Sequence, residues 1–161
     1  MNTKLIAAAL ATSGAFLAAP AFAASTTHTL AVSATVSGVC KFNTAGPTAL
    51  TIATGAGVID PSAAGPATGT ANVTFRCTTG TTSAMTDDNG LNFAAGSRRV
   101  KNGVANFMNY GFTLTNAAQL GTGHGAGQDK TVVVNASIIA ADYQNATAGA
   151  YTDTVTLTIT P

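Results

Sequence analysis

The sequence predicts an all-β protein, most simply a β-sandwich, and three observations support this fold class. Thr contributes 28 of the 161 residues, and Thr is β-branched and favours an extended backbone. Several runs alternate apolar and polar residues with a period of two, which is typical of half-buried strands. Turn-forming pairs such as Asn89-Gly90 and Asn102-Gly103 separate these runs, and no stretch after residue 23 carries an apolar stripe at helical spacing.

Charged residues are scarce and nearly balanced. Asp, Lys and Arg together make up 8% of the chain, Glu is absent, and the formal net charge is +1. Proteins that bind nucleic acids by neutralising phosphates need clustered Lys and Arg, so the composition excludes that class. It also argues against a helical bundle with charged outer faces. The length predicts a single domain.

Residues 1–23 have the features of a secretory signal peptide. Lys4 gives a charged start, residues 5–19 carry no charge, and Ala21-Phe22-Ala23 resembles a cleavage site. A membrane anchor is the alternative, but this run is shorter than the roughly 20 apolar residues that span a bilayer. We expect export with cleavage after Ala23, which leaves a mature chain with six basic and six acidic side chains.

The first alternating run of the mature chain covers residues 28–36. One face of the run carries Leu30, Val32, Ala34 and Val36, and the other face carries Thr29, Ala31, Ser33 and Thr35. The run follows the expected cleavage site closely and leads directly to Cys40. Two interpretations are open at this point: an ordinary first strand of its own sandwich, or a strand that pairs with another molecule.

Cys40 and Cys77 are the only two cysteines. In an exported chain they are expected to form a disulfide, because an oxidising compartment favours the bond and no other pairing within the chain exists. A metal or thiol-catalytic role is disfavoured, since there is no Cys-x-x-Cys and the two His have no spacing relation to the cysteines. Closing a loop of this length stabilises a fold by about 4 kcal/mol in the chain-entropy treatment.

Later strands are predicted in the order of the chain from four alternating runs. These runs are residues 71–77, 108–114, 131–139 and 151–159. The last is the clearest, because Tyr151, Val155, Leu157 and Ile159 alternate with Thr. Shorter extended pieces are predicted at 49–52, 91–93 and 98–101.

No residue pattern predicts catalysis, a cofactor or a metal site. Asp87-Asp88-Asn89-Gly90 resembles the start of a calcium loop, but such a loop needs a Glu, and a polar turn is the simpler interpretation. His28 and His124 stand apart from other ligand types. The cluster from Arg98 to Lys101 is interpreted as a solvated strand edge. We therefore expect a protein that is not an enzyme.

At four places the chain resembles the spore coat protein U-type domain, the subunit of archaic chaperone–usher pili. The stretches that carry the resemblance are LAVSATVSGVC (30–40), NVTFRCTTG (72–80), NYGFTLTNAAQLGTG (109–123) and AGAYTDTVTLTITP (148–161). The final stretch is the most specific, because Gly149, Tyr151 and Asp153 match the family's Gly-x-Tyr-x-Asp ending before an alternating strand. The resemblance covers nearly all of the mature chain.

The resemblance implies an incomplete immunoglobulin-like β-sandwich that lacks its last strand and accepts a donor strand from a neighbouring subunit. Residues 24–39 would then be the donor segment and residues 40–161 the sandwich. The donor strand would insert Leu30, Val32, Ala34 and Val36, and the acceptor groove would be bordered by Tyr151, Val155, Leu157 and Ile159.

The expected partners are copies of the chain or sister subunits, a periplasmic chaperone and an outer-membrane usher, with no nucleic acid. The predicted function is that of a structural subunit of a secreted surface fibre, a pilus or fimbria, that serves adhesion and biofilm formation. The alternatives are a monomeric secreted binding module, a coat-layer protein, and a small secreted hydrolase, which the missing site residues disfavour.

Overall fold

The computed structural model of the protein describes residues 23–44, 46–103 and 105–161. Its elements in chain order are β1 (Cys40–Phe42), β2 (Ala67–Cys77), β3 (Thr82–Asp87), β4 (Arg98–Asn102), β5 (Asn106–Thr115), β6 (Ala118–Leu120), β7 (Lys130–Ile138), α1 (Ala140–Tyr143) and β8 (Leu157–Thr160). The prediction of an all-β fold is confirmed.

The strands form two antiparallel sheets. The larger sheet has the order β1-β2-β7-β5-β4, and the smaller has the order β6-β3-β8. The pair β2–β7 lies at the centre of the larger sheet, where Val73 pairs with Val132 and Ala71 with Val134. These apolar residues recur at every second position, so each strand turns one face to the core.

Among the described residues, the hydrophobic core consists of two clusters. The first cluster contains Ala67, Met108, Tyr110, Ala136, Ile138 and Tyr143. The second contains Val73, Phe75, Cys77, Met85, Val132 and Val134. Met85 belongs to β3 of the smaller sheet and packs against residues of β2 and β7 in the larger one. The sheets therefore face each other as a sandwich.

A disulfide joins the first two strands of the larger sheet, as the sequence predicted. Cys40 and Cys77 are register partners in the β1–β2 pair, with their Cα atoms 4.1 Å apart. The bond ties a strand of only three residues to the longest strand of the protein. It therefore holds β1, the first strand of the sandwich, against β2.

Some elements differ from the sequence prediction. Residues 49–52 and 91–93 form no strand, whereas the unpredicted β3 does, because it pairs with both β6 and β8. The short helix α1 was also not predicted, and it buries a single residue, Tyr143. Four residues are too few to produce a recognisable helical period in the sequence.

The N-terminal region carries two sequence predictions. The expected signal peptide, residues 1–23, lies outside the described residues except for Ala23, and it stays a prediction. Residues 23–39 contain no strand. Within the described part of the chain, no helix combines the length and the hydropathy that crossing a membrane requires.

Candidate functional site

The last strand, β8, has one paired edge and one edge without a strand partner among the described residues. On the paired side, Met85 lies opposite Ile159 and Thr86 opposite Thr158. Further back along the same side, Thr154 and Thr156 accept hydrogen bonds through their carbonyl oxygens from the backbone of Leu91 and Asp88. Successive residues of a strand direct their backbone groups to opposite edges. The backbone N–H and C=O groups of residues 155, 157 and 159 therefore face the other edge.

A groove runs along that other edge, and we call it the β1–β8 groove. It has a volume of about 290 Å³ and is lined by Phe42, Thr44, Gly46, Thr48, Val73, Val155 and Leu157. One wall is formed by β1 and the residues that follow it, and the other wall by the segment that enters β8. Val73 of β2, which is 5% exposed, lies in the second core cluster. The groove thus opens onto the core.

The chemistry of the groove suits an apolar occupant. Its lining residues are aliphatic, aromatic, Thr or Gly, and none of them titrates. Leu157 is half-buried and packs, together with Ile159, against the second core cluster. An apolar wall beside an unpaired strand edge can take both backbone hydrogen bonds and alternate side chains from an added strand.

The four residues predicted to border an acceptor groove have different surroundings. Val155 and Leu157 line the β1–β8 groove, and Ile159 packs beside it on the second cluster. Tyr151 instead packs against the first cluster and donates a hydrogen bond to the carbonyl oxygen of Thr147 at 2.9 Å. Tyr151 and Val155 both precede the regular strand, which begins at Leu157.

The residues predicted for the donor strand are exposed. Leu30, Val32 and Val36 have 79%, 86% and 82% of their surface exposed. Ala34 is exposed as well, and no residue of the segment belongs to a strand in the described chain. Large apolar side chains at such exposure in an unpaired segment need an explanation, because burying each one would be favourable.

The junction between this segment and the sandwich is held by one Thr. The Thr78 hydroxyl donates to the carbonyl oxygen of Ser37 and accepts from the Val39 N–H, each at 3.1 Å. The backbone N–H of Thr78 donates to the carbonyl oxygen of Val39 at 2.9 Å. The chain is therefore fixed immediately before Cys40.

The opposite wall of the groove was missed by the sequence analysis. Phe42 and Thr44 follow Cys40 at alternate positions, so the expected disulfide partner of Cys77 was a signal that could have placed them on one face. Val73 was assigned to a strand but not to the site. The contact between this region and β8 joins parts of the chain more than 100 residues apart, which no local pattern reveals.

Other candidate sites have structural explanations. At the end of β3 and in the turn that follows, Asp87 forms an ion pair with Arg98 at 2.6 Å and Asp88 accepts backbone hydrogen bonds. The described residues contain no group of three His, Cys, Asp or Glu side chains that could hold a metal ion. His124 contacts the carbonyl oxygen of Val39 through Nε2 at 3.3 Å.

The interpretation of residues 98–101 as a solvated strand edge was wrong for Arg98. Its side chain is 16% exposed, and its guanidinium lies 4.7 Å from the centre of the Phe112 ring. The pair with Asp87 supplies the charge partner that a buried guanidinium needs. The sequence showed a basic cluster but not the carboxylate that faces it.

A search of curated protein sequences found no match. Among solved structures, the chain is similar to a chain of the CsuC–CsuE chaperone–tip adhesion subunit pre-assembly complex from the archaic chaperone–usher Csu pili of Acinetobacter baumannii. The TM-score is 0.46 and the sequence identity 19%; the match covers 78% of this chain and 40% of that one. Residues 26–158 match the family model of the Spore Coat Protein U domain, and the protein therefore belongs to the spore coat protein U domain family.

Proposed function

We propose that the protein is a structural subunit of a surface fibre, a pilus or fimbria, assembled by donor-strand exchange. In this proposal residues 1–23 are a removed signal peptide, residues 24–39 the donor segment and residues 40–161 the accepting sandwich. A periplasmic chaperone and an outer-membrane usher assist assembly, and the fibre serves adhesion and biofilm formation. Family membership supports the proposal.

The single observation that carries the proposal is the β1–β8 groove beside the unpaired edge of β8. An added strand would pair with the backbone groups of residues 155, 157 and 159 and place alternate side chains in the groove. The run from Leu30 to Val36 has the matching period of two and spans about 20 Å as a strand. In this proposal one chain therefore supplies both a donor run and an accepting groove.

Burial of the donor side chains supplies the driving force. Leu30, Val32 and Val36 together contribute about 5–9 kcal/mol when they leave water, at about 1.5–3 kcal/mol for each side chain. Ala34 is the smallest of the four and fits the shallowest position. Register decides the outcome, because a slip by one residue would present Ala31, Ser33 and Thr35 to the groove instead.

The same open edge explains the need for a chaperone. An unpaired strand edge beside apolar surface pairs readily with other chains and promotes aggregation. The mature chain has no net charge to repel its copies, since removal of Lys4 leaves six basic and six acidic side chains. A partner that covers the groove until another subunit arrives prevents this aggregation.

The test compares two charge substitutions on opposite faces of the donor run. Val32→Asp places a carboxylate among the side chains that enter the groove, so we expect it to abolish polymer while the sandwich stays folded. Thr35→Asp is the matched control on the other face, and its effect should be mild. Size-exclusion chromatography and electron microscopy of exported protein measure the polymer, and circular dichroism measures the fold. Equal damage from both substitutions, or unfolding by Val32→Asp, would contradict strand donation and favour a monomeric protein.

A further inference from the structure

The segment that leads into β8 lies against β4 and the loop between β3 and β4. Thr152 bridges to Lys101 of β4 by two backbone hydrogen bonds of 2.9 and 3.0 Å. Two residues further on, the carbonyl oxygen of Thr154 accepts from the Leu91 N–H at 3.0 Å. Residues 152–156 thus connect the larger sheet to the smaller one. Their backbone is hydrogen-bonded along one side, to β4 and to the residues between β3 and β4.

Asp153 connects this segment to the loop and to the core. Its Oδ1 accepts from the backbone N–H and the side-chain amide of Asn92, both at 3.0 Å, and its Oδ2 accepts from the Tyr110 hydroxyl at 2.7 Å. Tyr110 is 9% exposed and belongs to the first core cluster. Burial, together with the hydrogen bond to Asp153, raises the pKa of Tyr110 above its ordinary value, so the hydroxyl remains a donor.

The loop is shaped to admit this carboxylate. Gly90 has a φ of +90°, and a Cβ atom at this position would collide with the carboxylate of Asp153. Gly is the residue that tolerates both the backbone angle and the close approach. The Asn89-Gly90 turn therefore places Asn92 and Asp153 within hydrogen-bond distance.

Asp88 makes a second connection, at Thr156. The backbone N–H of Asp88 donates to the carbonyl oxygen of Thr156 at 3.1 Å, and its carboxylate accepts from the Thr156 N–H at 2.9 Å. The side chain thus replaces a missing ladder partner one residue before β8 begins. Because Thr156 is held on this side, residues 155 and 157 must direct their backbone groups toward the β1–β8 groove.

We infer that Asp153, supported by Asp88, is a positioning residue that holds the accepting strand in register before any strand is donated. The inference rests on the proposed function, since it assigns these carboxylates to the accepting half of strand exchange. Neither carboxylate lines the groove itself. Each acts through the backbone of residues 152–156, whose register decides whether Val155 and Leu157 or the intervening Thr side chains face an incoming strand.

The test measures separately whether a full-length chain accepts a strand and whether it donates its own. Asp153→Ala removes three hydrogen bonds to a carboxylate and should lower polymer at least about tenfold, because loss of even one shifts an equilibrium by about that factor. The same chain should still donate its own N-terminal strand. When it is produced together with the Val32→Asp chain, which accepts but does not donate, dimers with one chain of each kind should form. The two chains differ in mass, so mass spectrometry of the isolated dimer identifies them.

Two further variants complete the experiment. Asp153→Asn keeps hydrogen-bonding atoms at the site and should restore part of the polymer. Asp142→Asn is the matched control and should polymerise normally, since within the described chain the carboxylate of Asp142 accepts one side-chain hydrogen bond, from the amide of Asn109 at 3.4 Å. Normal polymer from Asp153→Ala, no rescue by Asp153→Asn, or failure of the Asp153→Ala chain to donate would each overturn the positioning role. Normal polymer from Val32→Asp alone would overturn the proposed function itself.

Discussion

At the scale of single residues, a chain with few charges uses most of its carboxylates as hydrogen-bond acceptors. Asp129 pairs with Arg76 at 2.6 Å and also accepts from the side-chain amide of Asn43 at 2.8 Å. Asp60 accepts from the backbone N–H and the hydroxyl of Ser62. These contacts stabilise the charged form of each carboxylate, so they connect the stability of the fold to pH.

The pH dependence has a definite sign. The hydrogen bond from Arg76 lowers the pKa of Asp129 below its ordinary value of 3.8, and the hydrogen bonds from Thr156 lower the pKa of Asp88. A lowered folded pKa contributes stability that is complete above pH 3.8 and is lost as the pH falls through the folded pKa. We expect the free energy of unfolding to fall in this acid range, as urea titrations between pH 2 and about 6 would measure.

The matched variants for this prediction are Asp129→Asn and Arg76→Gln. Each removes one partner of the pair, so each should flatten the same part of the acid profile. A profile for Asp129→Asn with the full acid slope of the natural chain would show that this pair does not carry the dependence.

The buried hydroxyl of Tyr143 provides a second residue-scale prediction. Tyr143 is 1% exposed, and its hydroxyl donates to the carbonyl oxygens of Ala63 and Gly65. Tyr143→Phe leaves these acceptors without their donor and should lower the free energy of unfolding by about 1–2 kcal/mol. Tyr151→Phe is the control, because its hydroxyl bonds to Thr147 in an exposed position. Equal losses in urea denaturation would contradict the assignment.

At the scale of elements, β1 depends on the disulfide more than on its own length. A strand of three residues has little pairing of its own, and one wall of the β1–β8 groove begins at its last residue, Phe42. Replacement of both Cys40 and Cys77 by Ser should lower the free energy of unfolding by about 2–5 kcal/mol. The urea midpoint of the natural chain should also fall when reductant is added, and the variant should not respond to it. An unchanged midpoint under reduction, with the thiols shown to be free, would refute this role.

For the last strand, the sequence correctly predicted which residues face inward but predicted a strand that is too long. The alternation of residues 151–159 predicted one continuous strand, whereas β8 covers Leu157–Thr160. The inward residues alternate with exposed Thr along the whole run, as the period of two requires. The pairing partner changes along the way, from β4 at Thr152 to β3 beyond Thr156. A pattern within the run contains no information about that change of sheet.

At the scale of the whole molecule, the expected cleavage site and the proposed donor run lie close together in the chain. The expected cleavage after Ala23 places the donor run within a few residues of the new N-terminus. We predict that N-terminal sequencing of the exported protein begins at Ala24. Recovery of Met1 in the assembled material would contradict both the cleavage and the proposed export route.

The sequence by itself determined the all-β class, the inward faces of the main strands and the one possible disulfide. These follow from local properties: the two-residue pleat of a strand, turn-forming pairs and a count of two Cys. The tertiary structure decided which strands pair, where the groove opens and what Asp153 binds. Asp153 lies 43 residues from Tyr110 and 61 from Asn92 along the chain. Only the tertiary fold brings such groups together, because hydrogen bonds between residues far apart in the chain leave no periodic signal in the sequence around either one.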